Sequence, residues 1–269
     1  RILNPDIIAV TVGPGLEPAL WQGIEFAKKL GEKLGRPIIG VNHMEGHLYS
    51  NVLENVRIKF PAIALVVSGG HTILLYMSSL TKWKKLGETH DDAAGEAFDK
   101  VARMLGFPYP GGPEIEKTAK KGNSKAVNFP RPMLNEKNFA KAGARGANYD
   151  FSFSGLKTAV LYFLRDHPKT NKADTAASFQ QAVVDVLVGK TIRAVRNFRA
   201  KSVLLCGGVS ANKYLQNSLK QVTSKMGVNF HVPDFEYNTD NAAMIAAAAY
   251  IQYLRKKKLP LVANANLNL

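Results

Sequence analysis

The chain of 269 residues is long enough for one large domain or two lobes around a buried core, and its 46% hydrophobic and 21% charged content describes an ordinary globular protein. One cysteine, Cys206, excludes an internal disulfide framework and a cysteine zinc site, and no apolar run reaches the roughly 18 residues that span a bilayer. A formal net charge of +15, with no basic tail to account for it, favours a polyanionic partner such as nucleic acid over the alternative of simple solubility.

DIIAVTV, from Asp6 to Val12, reads as a buried strand stopped by Gly13-Pro14-Gly15, and no signal peptide is expected. Apolar residues at Leu20, Ile24, Ala27 and Leu30 predict a helix from about Glu17 to Leu34, and RPIIGV a second strand. This β-α-β-α order argues for α/β architecture with parallel strands. The strand runs into His43-Met44-Glu45-Gly46-His47, where two histidines four apart share one helix face and can reach one ion. Glu45 stands one residue later than the general base of an H-E-x-x-H zinc protease and so points elsewhere. A pair that only caps or packs is the alternative, and a metal site needs a further ligand.

From Pro61 the pattern changes to two β-prone runs around Ser68-Gly69-Gly70-His71, a hairpin, which KWKKLGETH can extend to three strands. DDAAGEAFDKVARML is helical, with an apolar stripe of Ala94, Phe98, Val101 and Leu105, and a shorter helix follows from about Pro113 to Lys120. Residues Gly122 to Tyr149 are polar, basic and rich in Pro and Gly, which predicts a long surface excursion. Two helical segments, SGLKTAVLYFLRD and ADTAASFQQAVVDVLVGKTIRAVRNFRAK, precede the strand SVLLC with a buried Cys206. GGVSAN then turns into the helix KYLQNSLKQVTSKM, and a strand VNFHV, a turn PDFEYNTD and the Ala-rich helix NAAMIAAAAYIQYLRKKK close the chain.

The glycine turns carry chemistry if a ligand needs close backbone approach. Gly69-Gly70, Gly111-Gly112-Pro113 and Gly207-Gly208 could hold a nucleotide between lobes, although neither a P-loop nor a G-x-G-x-x-G fingerprint occurs. Gly-Gly is also simply a good hairpin turn, and Ser210 or Asn212 a routine cap. Of the carboxylates, Asp91 and Asp92 suit a helix start without any ligand, whereas Asp99 can face a cleft. Asp240, at the start of the last helix, is the better third metal ligand, with an N-cap role as its alternative. A His-His-Asp set with open positions suits iron or zinc.

Taken together, HMEGH, VSGGHT, DDAAGEAFDKVARMLGFPYPGGP, YDFSFSGLKTAV, SFQQAVV, GGVSANKYL and TDNAAM resemble the TsaD family in order and spacing across almost the whole chain. The resemblance implies a two-lobed actin/Hsp70/sugar-kinase type α/β fold and tRNA N6-adenosine threonylcarbamoyltransferase activity. The group would pass from threonylcarbamoyl-AMP to N6 of adenosine 37 in tRNAs that read codons starting with A. Metal ligands would be His43, His47 and Asp240, for one divalent ion per subunit, Fe2+ ranked ahead of Zn2+. Substrate-binding positions would be Val67, Ser68, Gly69, Gly70, His71, Asp99, Gly112 and Asn212, with no protein nucleophile. Expected partners are tRNA and proteins of the TsaB/TsaE type or a second copy, without a membrane, in the cytoplasm or the mitochondrial matrix. The family's opening ETSCDET-type strand and turn has no counterpart here, so the first lobe is expected to be incomplete. Residues 1–59 would form that lobe, helix 240–258 would pack back on it, and residues 60–239 would form the second. Basic residues for tRNA are Lys82, Lys84, Lys85, Arg131, Arg145, Arg193, Arg196 and Arg199, each with a solvated charge as its alternative. The rival functions are an ATP-dependent kinase or carbamoyltransferase of the same fold and a non-catalytic tRNA-modification scaffold.

Overall fold

The computed structural model describes residues 5–54, 56–134 and 149–269. Arg145 and the segment 135–148 expected to be a variable insertion lie outside them. In chain order the elements are β1 (Ile8–Gly13), α1 (Glu17–Leu34), β2 (Ile38–Asn42), α2 (His43–Tyr49), β3 (Ala62–Val67), β4 (Thr72–Ser79), β5 (Lys82–Glu88), α3 (Ala94–Met104) and α4 (Gly111–Ala119). They continue with α5 (Ser154–Asp166), α6 (Lys172–Phe198), β6 (Ser202–Cys206), α7 (Lys213–Lys225), β7 (Asn229–His231), α8 (Phe235–Asn238) and α9 (Ala242–Leu254). The chain divides into two compact units, one of Arg1–Arg57, Leu80–Lys82 and Pro233–Leu269, the other of Ile58–Ser79 and Trp83–Val232. Residues 233–239, grouped by sequence with the second lobe, therefore belong to the first unit. The reason is local, since α8 packs beside the 3-10 turn Ser50–Val52; Leu80–Lys82 joins the same unit where the Tyr49 hydroxyl donates to the Leu80 carbonyl at 3.2 Å.

In the first unit β1 and β2 pair in parallel, Ile8 opposite Ile38 and Val10 opposite Gly40. α1 buries Leu20, Ile24 and Ala27 along one stripe, as its 3.6-residue period requires. The fourth place on that face falls to Gly31, not to Leu30, because a Cβ at Gly31 would lie 2.8 Å from Ile38. Gly35 ends the helix in the left-handed conformation, φ 62°, and its N–H bonds back to Glu32 and Gly31. The C-terminal segment then runs past the carboxyl ends of this sheet, with Asn264 N–H donating to Val12 O at 2.8 Å.

In the second unit five strands lie in the order β5-β4-β3-β6-β7, with β3 antiparallel to β4 and parallel to β6, and β6 parallel to β7. β3, AIALVV, is buried at every position, as a central strand covered on both faces must be. Its alternation sends Ile63, Leu65 and Val67, with Val203 and Leu205 of β6, into one core with Phe98 and Val101 of α3 and Phe179, Val183 and Leu187 of α6. Part of the expected surface excursion is anchored here: Phe129 is buried in that core, and Arg131 pairs with Asp185 of α6 at 2.9 Å. An aromatic side chain in a basic, Pro-rich run is enough to hold it down.

Candidate metal and ligand site

α2 begins where Asn42 stops β2. The Asn42 side-chain oxygen accepts from the N–H groups of Met44, 2.8 Å, and Glu45, 3.3 Å, and its amide donates to the carbonyls of Leu267 and Asn268. One cap thus holds both the helix and the C-terminal segment. From Met44 to Tyr49 the helix is buried throughout, which orients His43 and His47 one above the other, ring centroids 4.7 Å apart and nearly perpendicular. Both Nε2 atoms face the same Asp240 Oδ1, at 3.3 Å from His43 and 3.2 Å from His47. His47 is buried, whereas the Asp240 side chain is 75% exposed, so the cluster is open on the aspartate side.

Asp240 is not the cap of α9. That position is taken by Asn241, whose side chain accepts from Met244 N–H at 2.8 Å, and the carboxylate one residue earlier is left for the imidazoles. Hydrogen bonds from His43 and His47 hold the Asp240 carboxyl well below the usual carboxylate range, against an opposing effect of burial. The three donor atoms lie within 4.8 Å of one another. Two donors each about 2.1 Å from a shared ion are roughly 3.0–3.4 Å apart, a range that the 3.3 and 3.2 Å spacings from the imidazoles to Asp240 meet. Two imidazoles, one carboxylate and an open side suit iron or zinc alike.

Within the second unit, the residues expected at the substrate cluster around the carboxyl ends of β3 and β6. Ser68 N–H donates to His71 O at 2.8 Å and Ser68 Oγ accepts from His71 N–H at 3.1 Å, which closes the turn and leaves open space over Gly69 and Gly70. Gly207, φ +87°, packs against the end of β3, where a Cβ would lie 2.4 Å from Val67 O. A Cβ on Gly95 would lie 2.5 Å from Ser68 O, and this glycine, unmarked in sequence beyond being a poor residue for a helix, lets α3 approach the turn. One helical turn on, Asp99 accepts from Gly111 N–H at 2.7 Å and so binds the start of α4, beside Gly112, which is open. Asn212 caps α7 through Leu215 N–H and donates to Gln180. The Asp99 and Asn212 side chains are thus engaged in structure, and the open positions are the backbone at Gly69, Gly70, Gly112 and Gly208. Backbone groups at the carboxyl ends of adjacent parallel strands are where α/β folds receive ligands.

The two aspartates ahead of α3 also have structural partners. Asp91 accepts from Ser152, Ser154 and the Phe153 N–H, and Asp92 pairs with Lys100 and Lys157. The α3 start is instead capped by the Thr72 hydroxyl, which accepts from Ala94 N–H at 2.9 Å and which the sequence does not signal. Among the basic candidates Arg193 donates to Leu134 O, Lys85 pairs with Glu88, Lys84 lies over Tyr76 and Phe198, and Arg196 and Arg199 are exposed.

The fold is that of two-lobed α/β proteins of the actin/Hsp70/sugar-kinase class. It is shared with the crystal structure of T. kodakarensis HypF at a TM-score of 0.65 and 17% identity, over 93% of this chain and 41% of that one. Full-length HypF in the phosphate- and nucleotide-bound form gives 0.64 and 13% over 93% and 39%. A family model described as TsaD, tRNA N6-adenosine threonylcarbamoyltransferase, matches residues 2–247, and the chain belongs to that family. Relatives bearing the same description include a protein of Moorella thermoacetica, 51% identical over 97% of this chain and 74% of its own length. Another, from Thermosipho melanesiensis, is 51% identical over 98% and 78%.

Proposed function

We propose that the chain transfers a threonylcarbamoyl group from threonylcarbamoyl-AMP to N6 of adenosine 37 in tRNA. The observation that carries this reading is the family match over residues 2–247, to which the His43, His47 and Asp240 cluster adds a donor set suited to a divalent ion. Backbone N–H groups of the turns at Gly69-Gly70 and Gly207-Gly208 would receive the adenylate phosphate. The N6 nitrogen forms a bond to the carbamoyl carbon, the bond from that carbon to the phosphate oxygen breaks, AMP leaves with the electron pair and one N6 proton is released. His43, His47 and Asp240 would hold the ion, which when bound supplies Lewis acidity toward a carbonyl or phosphate oxygen. We favour Fe2+ over Zn2+, a cytoplasmic setting, and TsaB/TsaE-type proteins or a second copy as partners.

The test is to incubate the chain, and the same chain extended to the length of its relatives, with threonylcarbamoyl-AMP, unmodified tRNA and Fe2+ or Zn2+. Mass spectrometry of the digested nucleosides should show modified adenosine. No modification from either protein overturns the proposal, and ATP turnover without tRNA would instead favour a kinase.

A further inference from the structure

The glutamate between the two histidines has no place in the donor cluster, yet it is among the most buried charges of the chain. Glu45 is 0% exposed, and its Oε1 accepts from the Arg255 guanidinium at 2.9 Å and from Lys257 Nζ at 3.2 Å. Its other oxygen is buried without a hydrogen-bond partner among the described residues. At about 100° per residue Glu45 projects about 200° round α2 from either histidine, so it and the imidazoles leave opposite sides of the helix. The residues flanking the two ends of α9 meet the two sides. Asp240 precedes its first turn and faces the histidines, and Arg255 and Lys257 follow its last turn and hold the glutamate. Between them the helices touch closely: a Cβ on Gly46 would lie 2.9 Å from Ile245, and Gln252 donates to Gly40 O at 2.8 Å.

We infer that Glu45 is a positioning residue for the metal donors: its clamp by Arg255 and Lys257 fixes the rotation of α2 about its axis, and with it the aim of His43 and His47 at Asp240. A rotation of about 20° moves an atom at the helix's outer radius of roughly 6 Å by roughly 2 Å. Metal–ligand distances tolerate only about 0.2 Å. Apolar burial from Met44 to Tyr49 and the Asn42 cap hold the seven-residue helix in place, and the ion pair adds a directional restraint that an apolar residue at position 45 would not supply.

The inference rests on the metal reading above, and the experiment separates the two. Co2+ is titrated into metal-free parent chain, Glu45→Gln and Arg255→Gln, following the visible d–d spectrum, with near-UV circular dichroism and Tm measured in EDTA. The expected result for Glu45→Gln is a Kd for Co2+ raised on the order of 10–100-fold and an altered band pattern, although all three ligands remain. Arg255→Gln should change both in the same direction by less, since Lys257 stays. If Glu45→Gln binds Co2+ within threefold of the parent with the parent's spectrum, the residue is only structural, whatever its Tm, and the inference fails. Should Glu45→Gln not fold, Arg255→Gln decides by the same criterion: parent-like affinity and spectrum overturn the inference, and a weakened, altered site supports it. A parent that binds no Co2+ overturns the metal reading and the inference with it.

Discussion

At Asp240 one position separates a helix cap from the proposed metal donor. Because Asn241 accepts the Met244 N–H, the preceding carboxylate can meet two imidazoles, whose hydrogen bonds lower its pKa. Asp240→Ala or His47→Ala should therefore reduce metal affinity by at least about 100-fold, measured as bound Fe or Zn after gel filtration. Unchanged metal content would remove the residue from the donor set. Lys190 presents the opposite case, a charge placed where a charge is disfavoured. It is fully buried on α6 with its Nζ 5.7 Å from the Phe151 ring, and burial, then Arg193, push its pKa down to about 8 despite Asp150. A lysine whose folded pKa lies below its unfolded value of 10.5 binds fewer protons folded than unfolded between those limits, so its cost to stability is relieved as pH rises from about 8 to 10.5. Because Lys190→Met also removes the contacts that Lys190 makes, the expected signature is in the pH dependence: the change in Tm should favour the variant more at pH 7 than at pH 10, by a few degrees. An equal change at both values would contradict this account.

Among the elements, the joints matter more than the lengths. Asn42 ends β2, caps α2 and holds the C-terminal segment, so Asn42→Ala should cost about 1 kcal/mol for the cap alone and more with the Leu267 and Asn268 bonds. Urea denaturation reads that loss directly. Gly207 combines a φ of +87° with a backbone oxygen 2.4 Å from where a Cβ would stand. Gly207→Ala should cost about 2 kcal/mol or more, through strain and displacement of β3, and a neutral result would mean that the Val67 end of the strand is free to move. The span of α1 is legible in its apolar period and in Gly35, because both signals lie within the helix itself. The start of α3 is not, since the group that caps it, Thr72, belongs to another strand. For the same reason Asp91 and Asp92 look in sequence like helix-start carboxylates, and only the packing of the Ser152–Ser154 segment and Lys157 gives them other partners.

Over the whole molecule the net charge of +15 is the feature that a tRNA partner would use. Binding of unmodified tRNA should weaken by about 100-fold or more between roughly 50 and 200 mM salt, as counterion release requires for several phosphate contacts. Replacing the exposed Arg196 and Arg199 by alanine should flatten that dependence if the end of α6 meets the backbone; an unchanged slope assigns the contact elsewhere. Residue chemistry repeated along the chain determined the α/β class, the helix bearing His43 and His47, and the glycine turns, because period, cap and turn preferences act between near neighbours. Asp240 was legible as a third donor and Asn212 as a cap from their places at helix starts, whereas only tertiary structure brings the Asp240 carboxylate to both imidazoles and spends Asp99 on the start of α4. Glu45 shows the division most clearly. Its sequence position said only where it does not point, while its function as a clamp depends on Arg255 and Lys257 from the other end of the chain. An ion pair between distant segments is fixed by how α9 lies on α2, and no local preference encodes that packing.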